Sequence, residues 1–442
     1  MDQKQYIVAI EIGSSKVVGA AAQVNDSRIT VNHYEEEMHS NCVNYGWVQN
    51  VENIKSCINR ILRRLENALD GDITHIYVGR SGRTLHSESS EVNRSIDAST
   101  AITSATIESI KRDACRTSLK RYETIEVVPR AFYVDKSLIT DNNPVGHYGS
   151  SIKVKLNLIV ANSSMLLNLD RVVKGFNSKP IVTALAMGNH VLSTEEKRKG
   201  CMLVDMGAET TTVSIYKNGM LVYLNTLPLG GRNLTLDIAN SIPGVLEETA
   251  ENVKKNINNP LEVPHTDSVV IEGVNSRDAA NYISARVGEI IANINKQLEY
   301  AGVTASEMSC IVLAGGAAQL KGIAKMLEEN TKIATHKATL PANIYLNNAL
   351  ANAHKDINVQ LMAIIAEACQ VMDKMDSCVK FREIVDIDIH GPRIQQEPVE
   401  KEREEKPEKS KKKKKPSMWE TLQTKFSNIL TNPDDDDDDD EY

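Results

Sequence analysis

The sequence predicts an α/β protein of two related lobes, with an inserted α+β subdomain, a disordered linker and a C-terminal amphipathic helix. Two apolar strands each run into an acid, one further residue and a glycine, at Ile7–Gly13 and Met202–Gly207. A third apolar strand, Ile311–Ala314, is followed by Gly315 and Gly316. A single acid and glycine is common in tight hairpin turns. Two copies and a late glycine pair indicate an internal duplication.

Hydrophobic periodicity supports the duplication. Strands are predicted within 6–24 and 28–34, and apolar residues recur at helical spacing from Val51 to Leu69. The same order of strands and then helix recurs in the second half. Its predicted elements are strands near 201–206, 211–216 and 220–225, and helices at 234–239, 243–256, 286–301 and 317–329. The segment between the halves has no counterpart, and its predicted elements are strands at 124–134 and 151–160 and a helix near 106–120.

The chain is divided into consecutive predicted segments. Residues 391–416 hold four prolines and dense mixed charge with almost no apolar content, which predicts a disordered linker. The predicted segments are 1–82, first lobe; 83–160, inserted subdomain; 161–195, first lobe continued; 196–342, second lobe, with about 240–305 as its outer subdomain; 343–389, return to the first lobe; 390–416, disordered basic linker; 417–431, membrane-targeting amphipathic helix; and 432–442, acidic tail.

Length and charge narrow the class of protein. A chain of 442 residues exceeds one ordinary core, so at least two lobes are expected. The net charge of −8 is matched by the eight acids of Asp434–Glu441, so the remainder is neutral and a nucleic-acid binder is not expected. No run of about 18 apolar residues and no signal segment occurs, which predicts a cytoplasmic body.

Cysteine and histidine spacing gives no sign of a metal site. The seven cysteines are scattered and lack a C-x-x-C pair, and the ten histidines show no paired ligand spacing. We therefore expect reduced thiols and no zinc site.

The two hairpin turns are candidates for holding phosphates and Mg²⁺. In the first turn glycine permits close backbone approach, hydroxyls donate and a lysine neutralises charge. These residues are Gly13, Ser14, Ser15 and Lys16. The second turn supplies Asp205, Gly207 and Thr210, and Asp205 and Glu11 would hold Mg²⁺ through water. The alternative interpretation of each turn is an ordinary surface hairpin.

Three further features complete a nucleotide site. Glu251 and Lys254 share one helix face, where they would bind ribose hydroxyls or the adenine edge, although such a pair is commonly an exposed ion pair. Gly315 and Gly316 would let the backbone approach adenine, with Gln319 one turn later. Glu209 would repel phosphates unless it turns outward or binds metal. No evident base for water attack is present, so we expect ATP binding with slow ATPase activity at most.

The residues resemble the actin-like ATPase superfamily, and within it the family of the bacterial cell-division protein FtsA. Ala9–Val17 is similar to that family's first phosphate motif and Leu313–Gly322 to its adenosine motif. Pro228–Gly231, Thr235–Ala239 and Ala250–Lys254 are similar to its segments after the second phosphate loop. The inserted subdomain, with Val128-Pro129 and Asn143–Gly146, resembles the one that this family carries. The resemblance covers about 6–385.

The resemblance implies an actin-like two-lobed fold of duplicated RNase H-like domains that binds ATP and Mg between the lobes. It also implies a protein that tethers FtsZ filaments to the inner face of the cytoplasmic membrane, self-associates into filaments and helps assemble the septal ring with other division proteins. In that family the FtsZ tail peptide docks on the subdomain that corresponds to roughly 240–305.

The C-terminal segment predicts a helix that lies on a membrane surface. Ser417 and Glu420 form a capping box, and Pro433 stops the helix. Its apolar residues recur at helical spacing with polar residues opposite, which is typical of an interfacial helix. The predicted membrane residues are Lys411, Lys412, Lys413, Lys414, Lys415, Met418, Trp419, Leu422, Phe426, Ile429 and Leu430. The alternative is a helix that docks on the protein's own body. The aspartates fit either a solvated tail or a run that tunes membrane affinity.

Two other functions fit the same superfold. A small-molecule kinase would place a phosphate acceptor in the cleft, and a pilus-associated actin-like adaptor would also be non-catalytic. The terminal helix and the inserted subdomain count against the kinase, and the terminal helix distinguishes the adaptor.

Overall fold

A computed structural model describes residues 5–25, 28–116, 119–262, 268–353, 357–373 and 376–382. All of these residues belong to one compact unit, Met1–Glu383. The predicted linker at 390–416, the membrane helix at 417–431 and the acidic tail at 432–442 lie outside the described residues.

The strands carry the two related halves. In chain order they are β1 Gln5–Ile12, β2 Lys16–Asn25, β3 Arg28–Met38, β4 Val43–Asn44, β5 Trp47–Val48, β6 Gly71–Ile73, β7 Ile76–Arg80, β8 His86–Ser95, β9 Tyr122–Val134, β10 Ser137–Leu138, β11 Ser151–Asn162, β12 Ser178–Val182, β13 Cys201–Met206, β14 Thr211–Lys217, β15 Met220–Leu227, β16 Val270–Ile271, β17 Val274–Asn275, β18 Cys310–Ala314, β19 Thr335–Lys337, β20 Ile344–Leu346 and β21 Val379–Phe381.

The helices connect and cover these strands. They are α1 Val51–Leu69, α2 Ser104–Cys115, α3 Ser163–Val173, α4 Thr183–His190, α5 Thr194–Lys199, α6 Gly231–Ser241, α7 Glu247–Asn256, α8 Ser276–Ala301, α9 Ile323–Thr331, α10 Asn348–Ala353 and α11 Val359–Val371. Short 3₁₀ turns lie at Ala305–Glu307 and Ala317–Gln319.

The first lobe is a mixed sheet with helices on it. Among the described strands its order is β12-β7-β1-β2-β3-β20, with β1 antiparallel to β2 and parallel to β7. Helix α1 packs on β2 and β3, and α11 packs on α4, β1 and β7. The side chain of Asn50 caps α1 by accepting from Asn53, and Asp70 ends it in the left-handed conformation.

The second lobe repeats this arrangement. Strands β13, β14 and β15 form an antiparallel meander like β1, β2 and β3, and β18 pairs with β13 in parallel as β7 does with β1. Side chains alternate across its sheet. Leu203 and Val312 join the apolar core of the first lobe, whereas Val204 and Leu313 join a core under α8. The predicted duplication is confirmed in these strand pairings.

The inserted subdomain is built on β8, β9 and β11, with α2 packed against them. It has its own apolar core, to which Ile110 of α2 and Ile152 and Leu156 of β11 belong. Its sheet joins the edge of the second lobe at one residue pair, His86 and Asn225, and the Asn157 amide donates to the Leu221 carbonyl at 2.7 Å. The α+β character predicted for this segment is confirmed.

Predicted helix boundaries agree with the structure for α1 and differ elsewhere. Helix α8 begins at Ser276, ten residues before its predicted start at 286. The single helix predicted at 317–329 is wrong, because Gly322 has a φ of +86° and separates the turn at Ala317–Gln319 from α9. A left-handed residue cannot continue a right-handed helix, and glycine takes that conformation without strain.

Candidate functional site

Two equivalent hairpin turns form the centre of the candidate site. The Gly13 amide donates to the Lys16 carbonyl at 3.0 Å, and the Gly207 amide donates to the Thr210 carbonyl at 2.8 Å. The acids occupy matching positions two residues before these glycines, on β1 and β13. The duplicated sequence pattern therefore folds into the same turn in both lobes.

Glu11 and Asp205 each contribute a carboxylate from one lobe, and the charge of Asp205 acts on Glu11. Glu11 is buried, and its carboxylate accepts from Thr183 at 3.1 Å and Ser81 at 3.4 Å. Burial and the charge of Asp205 raise the pKa of Glu11 to about 7. Burial raises the pKa of Asp205 to about 6, although the amide of Gln360 donates to it at 2.6 Å. A hydrated cation beside these groups would relieve both effects.

The first turn is braced by its own lobe. The Ser14 hydroxyl accepts from the Gly46 amide at 3.0 Å, and the Ser15 carbonyl accepts from the His39 amide at 3.1 Å. The ammonium of Lys16 lies 2.7 Å from Glu36 on β3, in a partly exposed ion pair. Gly13, Ser14 and Ser15 thus lie at the turn, while the Lys16 charge is directed toward the neighbouring strand.

Glu209 is engaged within the protein and links the two lobes. Its buried carboxylate accepts from the backbone amide of Tyr45 and pairs with Arg232 at 2.7 Å. Arg232 also pairs with Glu247 at 2.6 Å and donates to Asn41 at 2.9 Å. The Glu209 carboxylate therefore has charged and polar partners within the protein, and the positive charge of Arg232 offsets the repulsion expected between Glu209 and phosphates.

Glu251 and Lys254 form a half-buried network on α7. Lys254 donates to the Gly231 carbonyl at 3.0 Å and to the Thr235 hydroxyl at 2.9 Å, and it also pairs with Glu251. Burial lowers the pKa of Lys254. Burial acts to raise the pKa of Glu251, but the charge and hydrogen bond of Lys254 outweigh it and hold that pKa below its ordinary value. The pair is not the exposed surface pair of the alternative interpretation.

The glycine pair after β18 lies against the second hairpin. A Cβ on Gly315 would lie 2.2 Å from the Met206 carbonyl oxygen and 2.7 Å from a carboxylate oxygen of Asp205. Gly316 starts the following turn and has open space around it. Gln319 ends that turn, and its amide oxygen accepts from Lys337 at 2.9 Å. Gly315 is thus the residue of this motif in direct contact with Asp205.

Alanine at Gly315 should destabilise the protein much more than alanine at Gly316. Gly315 has a φ of +92° and meets backbone that cannot turn aside, so Gly315→Ala should lower the free energy of unfolding by about 1–3 kcal/mol. Gly316 has a φ of −63° and no atom within 4 Å of the added methyl group, so Gly316→Ala should stay within about 0.5 kcal/mol. Urea unfolding compares them, and equal losses would contradict the close approach.

Several residues of the site were missed by the sequence patterns. Ser81, Thr183 and Gln360 hold the two carboxylates, and Arg232 holds Glu209. Each is a single polar residue without a motif, and three of them come from segments far along the chain from their partner. Only the folded arrangement shows their contacts.

The predicted membrane residues, Lys411–Lys415 and the apolar positions from Met418 to Leu430, lie outside the described residues. Within the described ranges, no helix combines the length and apolar content needed to cross a membrane.

The chain matches two family models. The one described as Cell division protein FtsA matches residues 202–358, and the one described as the SHS2 domain inserted in FTSA matches residues 82–160. Together these ranges cover more than half of the chain.

Curated relatives agree with these models, and one solved structure has a similar fold. Cell division protein FtsA of Porphyromonas gingivalis (strain ATCC BAA-308 / W83) is 29% identical over 328 residues, covering 70% of this chain and 68% of the relative. The Bacillus subtilis (strain 168) protein of the same description is 26% identical over 357 residues, covering 76% and 80%. A PilM-PilN type IV pilus biogenesis complex contains a chain with a TM-score of 0.55 at 14% identity, covering 82% of this chain and 98% of that chain. That last likeness bears on the fold alone. The chain has the actin-like α/β fold with an inserted SHS2 subdomain, and it belongs to the FtsA family of cell-division proteins.

Proposed function

We propose that this protein binds ATP with Mg²⁺ between its lobes and tethers FtsZ filaments to the inner face of the cytoplasmic membrane at the division site. In this role it helps assemble the septal ring. The observation that carries the proposal is the pair of matching hairpins in an FtsA-family chain, because they bring Glu11 and Asp205 from opposite lobes close enough for the charge of Asp205 to raise the pKa of Glu11.

The nucleotide site uses the turns for phosphate and the second lobe for the nucleoside. Gly13 and Gly207 permit close backbone approach rather than donating, because their own amides close the two turns. Ser14 and Ser15 supply donors from the first turn, and Thr210 supplies its hydroxyl from the second. Asp205 and Glu11 would hold Mg²⁺ through its waters, and the ion would neutralise phosphate charge. The remaining proposed contacts are Lys16, Glu251, Lys254, Gly315, Gly316 and Gln319. The Lys16 ammonium would turn from Glu36 toward the phosphates, whereas Gln319 accepts from Lys337 through its amide oxygen and keeps its amide nitrogen to donate.

Slow turnover at most is consistent with the geometry around the carboxylates. Glu11 and Asp205 accept hydrogen bonds from Ser81, Thr183 and Gln360, and Glu209 is held by Arg232. A general base must reach the attacking water, and these acids are occupied by protein donors or proposed for the metal. We therefore expect ATP binding with slow hydrolysis at most.

Membrane attachment is proposed from the sequence of the tail. The five lysines at 411–415 precede six apolar residues at helical spacing, and such a helix binds a surface by burying its apolar face. The proposed boundaries are those of the sequence analysis, with the linker at 390–416, the helix at 417–431 and the acidic tail at 432–442.

FtsZ, other copies of this chain and further division proteins are the proposed partners. The proposed docking region for the FtsZ tail is the outer part of the second lobe, about 240–305, which contains α7 and α8. A kinase or a pilus-associated adaptor remains the alternative, and the likeness to the PilM-PilN chain concerns only the fold.

Co-sedimentation with vesicles tests the tethering function. FtsZ polymers should sediment with anionic vesicles when the full chain is present and remain in the supernatant with vesicles alone or with neutral vesicles. The reason is that one chain must bind lipid and polymer together. FtsZ recovery that does not depend on the chain would contradict the proposal. Stimulation of ATP consumption many fold by a sugar or short acid would instead indicate a kinase.

A further inference from the structure

A cavity of about 520 Å³ opens at the end of the second-lobe sheet opposite the candidate nucleotide site. It lies where β13 and β18 begin, at Cys201 and Cys310, whereas Asp205 lies four residues further along β13. At about 3.3 Å per residue this places the two regions about 13 Å apart. The cavity is thus separate from the proposed ATP and Mg²⁺ ligands.

Three side chains from distant parts of the chain converge on its wall. Glu196 comes from α5, Cys310 from the start of β18 and His336 from β19. Their carboxylate oxygen, sulfur and ring nitrogen all lie within 4.8 Å of one another. Because the residues are separated by more than a hundred positions on one side and 26 on the other, sequence spacing does not reveal them.

Glu196 is held so that one carboxylate oxygen faces the cluster. Its Oε2 accepts from the Ser193 amide and hydroxyl, each at 2.7 Å, in the capping box of α5. Its Oε1 lies 3.0 Å from His336 Nε2 and 3.8 Å from Cys310 Sγ. The cap fixes the direction of the carboxylate without using the oxygen that faces the other two groups.

His336 is oriented in the same way. Its Nδ1 lies 3.2 Å from the Lys337 carbonyl oxygen, which can only accept, so Nδ1 carries the hydrogen. Nε2 therefore faces the Glu196 carboxylate with its lone pair unless it binds a proton or a cation. Metal-binding histidines are commonly fixed by such a hydrogen bond from the other ring nitrogen.

Cys310 completes the set with a soft ligand. It is buried and lies opposite Cys201 in the register of the parallel strands β18 and β13, and both thiols are free. The Ser309 hydroxyl lies 3.8 Å from the Cys310 sulfur. These neighbours can hydrogen-bond a thiolate, which is the form that binds metal ions.

We propose that Glu196, Cys310 and His336 bind one divalent metal ion of the zinc class. One thiolate, one imidazole and one carboxylate suit Zn²⁺, and bonds of 2.0–2.3 Å require tetrahedral ligands roughly 3.3–3.8 Å apart. Glu196 Oε1 lies 3.0 Å from His336 Nε2 and 3.8 Å from Cys310 Sγ, so only small side-chain shifts are needed to reach these ligand separations. The fourth position faces the cavity, so water or an external ligand fills it. The ion would connect α5 to the β18–β19 edge of the second lobe.

Metal titration of the full chain tests the site. After chelator treatment, Zn²⁺ is added in competition with a chromophoric chelator. Excess Mg²⁺ is present to suppress weak Zn²⁺ binding to the acidic run Asp434–Asp440, because Mg²⁺ competes for carboxylates but not for a thiolate. One Zn²⁺ should bind per chain, and Co²⁺ should show thiolate charge-transfer absorption. Cys310→Ser and His336→Gln should each weaken Zn²⁺ binding by about 100-fold or more, because each removes a ligand.

Cys115→Ser is the matched control, since Cys115 is an exposed thiol outside the cluster. It should keep the wild-type affinity and the Co²⁺ absorption. His336 is 53% exposed, so His336→Gln tests the ligand with little risk to folding, which circular dichroism checks. Wild-type affinity in the Cys310 and His336 variants, or the absence of a Co²⁺ charge-transfer band in the wild type, would overturn the proposal.

Discussion

Asp205→Ala should abolish the rise in melting temperature that ATP and Mg²⁺ produce in the wild-type protein. The ligand would contact Ser14 on one lobe and Asp205 with Gly315 on the other, so binding stabilises the folded protein by bridging the lobes. At a ligand concentration one hundred times the Kd, this stabilisation is about 2.7 kcal/mol. Without the Asp205 carboxylate, the metal loses one of its two proposed protein acids, and the turn loses the group beside Gly315. Differential scanning fluorimetry with and without ligand measures the difference.

Each variant is compared with itself, with and without ligand, so that the ligand-dependent shift is separated from the effect of the substitution on the stability of the free protein. This matters because Asp205 is a half-buried acid whose pKa is raised to about 6, so its removal alone changes folding. Asp278→Ala is the matched control, since Asp278 is an exposed acid in the first turn of α8. It should keep the full ligand-dependent shift. A wild-type protein that shows no shift would sink the nucleotide proposal, and a full shift in Asp205→Ala would remove this residue from the site.

Local patterns were enough to predict the elements that hold the site. The acids at the ends of β1 and β13 and the glycine and hydroxyl residues that follow form matching turns, because a hairpin is determined by its own few residues. Helix α1 spans the predicted Val51–Leu69 because apolar periodicity, the Asn50 cap and the left-handed Asp70 all agree. Where several local signals coincide, the element and its ends are predictable.

Contacts between distant segments were beyond the reach of these patterns. Gln360 reaches Asp205 from a helix that begins 154 residues later, and Arg232 reaches both Glu209 and Asn41. A lone glutamine or arginine carries no periodic or spacing signal. Such contacts depend on how the lobes pack, which is why the environment of Glu209 required the structure.

The break before α9 shows a second limit. Apolar spacing runs through residues 317–329 and predicts one helix, but spacing says nothing about φ. Gly322 takes a φ of +86° beside Leu261, which lies 3.3 Å from the position a Cβ would occupy. Left-handed backbone at Gly322 therefore separates the turn from α9, and the helical pattern alone does not indicate it.

Trp419→Glu combined with Phe426→Glu should release the full chain from anionic vesicles while its ATP-dependent melting shift is retained. Burial of each aromatic side chain contributes about 1.5–3 kcal/mol, and the substituted carboxylates oppose insertion. The five preceding lysines contribute about 1 kcal/mol each beside an anionic leaflet, and salt screens that attraction. Loss of both anchors should therefore outweigh the remaining attraction at physiological salt. Vesicle co-sedimentation measures the bound fraction.

Thr424→Glu with Ser427→Glu is the matched control for this tail. It adds the same two negative charges on the polar side of the predicted helix and leaves the apolar residues in place. The control should weaken binding only as far as charge repulsion requires, and high salt should reduce that difference because it screens both lysines and glutamates. Deletion of Pro433–Tyr442 should strengthen binding, if it changes it, by removing eight acids. If Trp419→Glu with Phe426→Glu binds vesicles as the wild type does, the apolar face is not the membrane contact, and the helix docks on protein instead.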